Sequence, residues 1–216
     1  MADPDQFVAT DLACIRGERP VFSGVRFNIS GGDALALVGP NGSGKSSLLR
    51  LLAGLLPASG GSLTWNGVAV GEEPDAHRAR LHYLGHLDAV KPSLTPIESL
   101  AFHARLRGQP ADAAGLKAAL DSVGVVGLAD LPGRFLSQGQ RRRVALARLR
   151  VSGARLWLLD EPTLGLDADA LVRLTDLIDT HRSEGGIVIA ATHGGLDLGP
   201  HATLELGLAR PRKTAA

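Results

Sequence analysis

The sequence predicts an α/β fold built around a parallel sheet, and three observations predict it. The apolar run Ala34–Val38, the stretch Gly39-Pro40-Asn41-Gly42-Ser43-Gly44-Lys45-Ser46 and the helical pattern Ser47–Leu56 follow one another as strand, glycine-rich loop and helix. Leu156–Leu159 and Ile187–Ala191 are short continuous apolar runs, as in parallel strands covered on both faces. Between about residues 87 and 152 strand signals fade and helical ones replace them, which predicts a helical subdomain inserted in the α/β core. A chain of 216 residues suits a single domain carrying such an insertion.

Taken in order, the acidic start Met1–Asp5 lacks the basic and apolar regions of a secretory leader. Residues 6–38 are strand-rich. Phe7–Ala9 and Val25–Ile29 carry β-type residues, the second with alternation, and together they predict an N-terminal antiparallel β region. Gly31-Gly32-Asp33 reads as a turn before the strand that enters the glycine loop. After the first helix, Pro57–Gly61 breaks the pattern, Ser62–Val68 reads as a strand and turn, and Leu81–Gly85 as another short strand. Thr95 is placed as an N-cap with Pro96 at the first helical position, and Ala111–Val123 is helical. Ser137 and Gln140 have capping-box spacing ahead of a helix running through Arg148. Asp167 either caps the helix Ala168–His181 or lines a subunit interface. The basic tail Arg210–Lys213 reads as a solvated end.

Bulk properties exclude several functions. A net charge of +1 and 4% aromatic residues argue against a nucleic-acid partner. The single Cys14 permits no internal disulfide and reads as a small core residue. No apolar run approaches the ~18–20 residues of a membrane span, so a soluble cytoplasmic chain without direct membrane insertion is expected, and a membrane role would require a partner.

The chemistry concentrates at strand ends. The stretch Gly39–Ser46 fits G-x-x-x-x-G-K-[ST]. Its glycines let main-chain N–H groups wrap phosphate oxygens, and the helix that follows points its positive dipole end at them. Lys45 would reach the β- and γ-phosphates, and the Ser46 hydroxyl would ligate Mg²⁺. Leu136-Ser137-Gln138-Gly139-Gln140 opens a second helix able to hold an anion. The buried strand ending Asp160-Glu161 sets two carboxylates at the carboxyl edge of the sheet. Asp160 would hold Mg²⁺ directly or through water, and Glu161 would accept hydrogen bonds from an attacking water. Thr192-His193 ends another strand, where the histidine could bond a γ-phosphate.

These residues together resemble the nucleotide-binding domain of ATP-binding cassette (ABC) transporters, over nearly the whole chain. Gly39–Ser46, with Ser47 following, matches the Walker A loop, Leu136–Gln140 the signature loop and Leu156–Asp160 Walker B. Glu161 matches the catalytic glutamate, Asp167 the D-loop and His193 the switch histidine. The resemblance implies a P-loop NTPase fold, ATP and Mg²⁺ as cofactors, and a head-to-tail homodimer. Each ATP would lie between one copy's phosphate loop and the Ser137 and Gly139 of the other.

Three positions depart from the family pattern. Arg16 stands where many relatives stack an aromatic on adenine, and a guanidinium plane can still stack on a base. His86 replaces the usual glutamine and could contact Mg²⁺ through water or bond the lytic water. Leu164 stands for a serine, and, as a lesser change, Gln138 for a glycine. With Arg16–Arg19, Leu63–Gly67, Tyr83–His86 and Gln140–Leu149, the chain is similar to the ATPase subunits of haem-handling systems in cytochrome c maturation. That branch implies integral membrane partners, CcmB- and CcmC-like in family terms, and a peripheral place at the cytoplasmic face of the inner membrane. The alternatives are a soluble ABC ATPase of an assembly system, such as iron–sulfur cluster assembly, or the ATPase subunit of another ABC exporter. A P-loop kinase or GTPase is disfavoured by the signature loop and the adjacent Glu161, and no N-K-x-D motif occurs.

Overall fold

The computed structural model describes residues 4–192 and 194–207; His193 and the basic tail lie outside them. Strands β1 (Gln6–Arg16), β2 (Arg19–Ser30), β4 (Gly60–Trp65) and β5 (Val68–Ala69) form an antiparallel sheet in the order β2-β1-β4-β5. Strands β3 (Ala34–Val38), β6 (Leu81–Leu84), β7 (Leu156–Asp160), β8 (Ile187–Ala191) and β9 (Ala202–Glu205) form a parallel sheet ordered β6-β7-β8-β3-β9. Six α-helices occur among the described residues: α1 (Lys45–Leu52), α2 (Pro74–Arg80), α3 (Pro96–Leu106), α4 (Ala113–Ser122), α5 (Gln138–Val151) and α6 (Ala168–Ser183).

The continuous apolar strands are explained by what covers them. Leu35, Leu37, Leu156, Leu158, Ile187 and Ile189 face one core, shared with α1 and with Phe7, Leu12 and Trp65 of the antiparallel sheet. Their neighbours Ala36, Trp157, Leu159, Val188 and Ala190 face the other, shared with α3 to α6. Each fully buried leucine contributes roughly 1.5–3 kcal/mol, so both faces select apolar residues and the alternation of a half-exposed strand disappears.

Local signals are read as expected at most ends. Thr95 forms a capping box with Glu98, with Pro96 at the first helical position, and Ser137 forms one with Gln140. The first helix runs Lys45–Leu52 rather than Ser47–Leu56: it begins at once after Gly44 and closes where the Gly54 and Leu55 N–H groups turn back to the Leu51 and Arg50 carbonyls. Neither α2 nor the short, mostly exposed edge strand β9 is singled out by the sequence reading.

Candidate active site

The phosphate loop leaves β3 beneath the open end of α1. Gly39 has φ 141°, and a Cβ there would run into the Leu206 carbonyl oxygen and lie 2.9 Å from Ser43 Oγ. Gly44, at φ 100°, is the N-cap of α1. It offers no side chain, so the first-turn N–H groups remain available to a ligand. Lys45, 6% exposed, folds over the loop and donates from Nζ to the Gly39 carbonyl at 2.7 Å and the Pro40 carbonyl at 3.1 Å. Ser43 Oγ is buried without a partner. An uncapped helix start, a lysine held over the loop by main-chain carbonyls and one orphaned hydroxyl fit phosphate oxygens.

Ser46 Oγ donates to Asp160 Oδ1 at 2.9 Å, joining residues 114 positions apart. β3 and β7 flank β8, which brings their carboxyl ends to one edge. Asp160, 3% exposed, also accepts from the Tyr83 hydroxyl at 3.2 Å through Oδ2. Burial raises the Tyr83 phenol above its ordinary value, with Arg50 opposing and the Asp160 charge reinforcing, so it stays protonated and donates. Ser46 and Asp160 are hard oxygen donors suited to a small divalent cation that takes its other ligands from phosphate and water. Among the described residues no group of three or more His, Cys, Asp or Glu is placed to hold a metal without such help.

Glu161 follows at φ 48°, half-buried; its N–H donates to the Ala191 carbonyl at 3.0 Å. Ser137 and Gly139 sit apart from this group, at the start of α5. A cleft of about 290 Å³ there is lined by Ser137, Gly139, Arg143, Gly165 and Asp167. Ser137 is exposed, its Oγ accepting from Gln140 N–H at 3.2 Å while Gln140 Oε1 accepts from Ser137 N–H at 2.8 Å. Asp167 does cap α6, accepting from Ala170 N–H at 2.9 Å, and pairs with Arg143. The Ala170 N–H, and then the Arg143 guanidinium, hold its carboxyl below the usual range. Among the described residues no hydrogen bond links Ser137, Gly139 or Asp167 to the phosphate loop.

Arg16 ends β1 opposite Arg19, exposed, and His86 lies exposed on the loop after β6. Neither is hydrogen-bonded to the phosphate loop or Asp160 among the described residues. Two residues escaped the sequence reading. Tyr83 was hidden because its contact with Asp160 depends on β6 pairing with β7. Arg142, 3% exposed, carried a readable signal: it shares the buried stripe of α5 with Ala145, Leu146 and Leu149.

A glycine loop between strand and helix, a carboxylate-ending strand two positions across the sheet and a second helix start at the head of α5 define a P-loop ATPase of the ATP-binding cassette type. Residues 22–164 match the family described as ABC transporter, and the chain belongs to that family as an ATP-binding, ATP-hydrolysing subunit. It is 53% identical over 194 residues to the cytochrome c biogenesis ATP-binding export protein CcmA of Paramagnetospirillum magneticum, with 89% of each chain covered. It is 52% identical over 201 residues to the protein of the same name from Rhodospirillum rubrum, covering 93% of this chain and 85% of that one. A solved structure of a putative ABC transporter ATP-binding protein from Pyrococcus furiosus superposes with a TM-score of 0.82 at 26% identity, covering 93% of this chain and 97% of that one. ATP-binding subunits of this family work with membrane partners; among the described residues no helix is long and apolar enough to cross a membrane.

Proposed function

We propose that the chain drives a cytochrome c biogenesis export system as a head-to-tail ATPase dimer. It would be docked on CcmB- and CcmC-like integral membrane subunits at the cytoplasmic face of the inner membrane. About half of all positions are shared with the CcmA relatives over most of both chains, which supports the export role. Gly39–Ser47 would hold the ATP phosphates, with Lys45 at the β- and γ-phosphates and Arg16 against the adenine. Ser46 and Asp160 would hold Mg²⁺, whose charge offsets that of the phosphates. Glu161 would orient the lytic water, His86 would contact Mg²⁺ through water or bond the lytic water, His193 would bond the γ-phosphate, and Ser137, Gly139 and Asp167 would close the site from the second copy. Residues 87–152 would move as a helical subdomain that carries Ser137 toward the partner.

The observation that carries this reading is the 2.9 Å bond between Ser46 and Asp160 under an uncapped helix start, with Glu161 next in the chain. In the purified membrane complex, Glu161→Gln should bind ATP normally and lose hydrolysis by about 100-fold or more, the usual size for a lost general base. Undiminished turnover would remove Glu161 from that role. In a strain lacking the gene, the wild-type chain should restore covalently haem-loaded c-type cytochromes and Glu161→Gln should not. Failure of the wild type would assign the chain to a different ABC system.

A further inference from the structure

Arginine is rarely buried without a task, and Arg142 on the second turn of α5 is 3% exposed. Its guanidinium faces main chain on two sides. Nη2 donates to the Glu161 carbonyl at 2.7 Å and the Asp160 carbonyl at 3.4 Å, and Nε to the Pro162 carbonyl at 3.4 Å. Nη1 donates to the Gly85 carbonyl and to Asp88 Oδ1, both at 3.1 Å. One planar group thus joins the end of β7 at Glu161, the loop that bears His86, and the helix that Ser137 opens. A leucine would satisfy the apolar stripe; a rigid fork of donors is needed only to hold these three stretches in one arrangement.

The backbone at Glu161 gives a second, independent observation. At φ 48° it occupies the left-handed region, which a glutamate adopts only when its surroundings hold it there. Arg142 makes its shortest bond to the carbonyl of that residue, and the Ala191 carbonyl takes the N–H. Clamped on both sides, the peptide fixes the direction in which the Glu161 side chain leaves the sheet. Further along α5, Arg148 grips the same loop, donating to the Asp88 carbonyl at 2.8 Å and the Ala89 carbonyl at 3.0 Å.

We propose that Arg142 is a positioning residue for ATP hydrolysis: it locks the left-handed turn at Glu161 and yokes that turn to the His86 loop and to α5. A displacement of the loop 85–88 is then felt at Glu161 without any contact to nucleotide. The proposal rests on the reading of Glu161 as the residue that orients water.

The test measures steady-state hydrolysis and nucleotide affinity in the membrane complex for Arg142→Lys, Arg142→Met and Glu161→Gln, with thermal melting to confirm folding. A lysine keeps the charge but cannot span both sides. Misplacing a reacting group by about 1 Å costs on the order of 100-fold, so kcat should fall roughly tenfold in Arg142→Lys and roughly 100-fold in Arg142→Met. ATP affinity and KM should stay within about threefold, since a positioning role lowers kcat and leaves ground-state binding intact. Wild-type kcat in both Arg142 variants, or equal losses in kcat and affinity, would overturn the proposal while Glu161→Gln remained inactive. Turnover retained in Glu161→Gln would instead remove the reading it rests on. Should both Arg142 variants fail to fold, Asp88→Ala decides. Removing Oδ1, the side-chain acceptor of Nη1, should lower kcat about two- to fivefold at unchanged affinity, and unchanged kcat would overturn the yoke.

Discussion

The two helix starts that this chain offers to anions are built in opposite ways. α1 begins at a left-handed Gly44 with no side-chain cap, and the donors around it are either free or, like Lys45, bonded to loop carbonyls. α5 begins at Ser137 with a complete capping box, so the N–H groups of Ser137 and Gln140 are already taken by its own side chains. An uncapped start binds phosphate by filling vacant donors. A capped start keeps fewer vacant donors, and its Ser137 hydroxyl must give up an internal bond to orient toward a ligand, so it binds weakly until something else presents the ligand. One polypeptide therefore has a primary grip and a conditional one, which is the asymmetry a head-to-tail dimer would use.

The largest way to break that contrast is at the primary grip. Lys45→Ala removes two charge-assisted hydrogen bonds to phosphate, worth roughly 1.5–3 kcal/mol each, so ATP affinity should fall by about 100-fold or more and hydrolysis with it. Titration with a fluorescent nucleotide on the purified subunit measures this. Affinity within threefold of wild type would mean that α1 is not the primary grip.

A smaller and more selective effect is expected at α5. Ser137→Ala costs about 1 kcal/mol of stability as a lost N-cap and should leave ATP binding to the isolated subunit unchanged. Hydrolysis by the assembled complex should nonetheless drop by roughly 100-fold, as for loss of one positioned donor at a transition state. Parallel losses of binding and hydrolysis would show that Ser137 touches nucleotide without a second copy, and would end the distinction between the two starts.

What the sequence made legible follows the same line between local and distant. The glycine loop, the Asp160-Glu161 strand end and the Ser137 capping box are each written within a few consecutive residues, and each stands where it was expected. Two strands, one in each sheet, were blurred for a physical reason. β1 bulges near Asp11, at φ 52°, and the register shifts there spoil strict alternation. β9 is four residues long, and its alternation of Ala202 and Leu204 with Thr203 and Glu205 is too short to stand out without β3 as its partner. At the site, the Tyr83–Asp160 bond required knowing that β6 lies beside β7. Arg142 did not: a charged residue at a stripe position of α5 was a signal that the pull of the neighbouring signature loop obscured.

The smallest effect separates damage to either helix start from damage to the fold beneath both. His181 of α6 stacks on Trp157 of β7, ring centroids 3.8 Å apart and nearly parallel, and is 7% exposed. Burial pushes its imidazole down from the ordinary 6.5 to about 4, so the folded chain keeps it neutral. Above pH 6.5 both folded and unfolded chains carry a neutral ring, and His181 adds no pH dependence. As pH falls from 6.5 toward 4, the unfolded chain takes up a proton that the folded one excludes, and stability declines by on the order of 1 kcal/mol per pH unit. Urea midpoints measured between about pH 6.5 and 4.5 should therefore fall less steeply in His181→Gln than in wild type. ATP affinity at pH 7.5 should be the same in both, because the ring lies behind β7 and not at the carboxyl edge of the sheet. An unchanged acid slope in His181→Gln would move the titration to other groups; a change in ATP affinity would mean that the far face of the sheet is coupled to the phosphate loop after all.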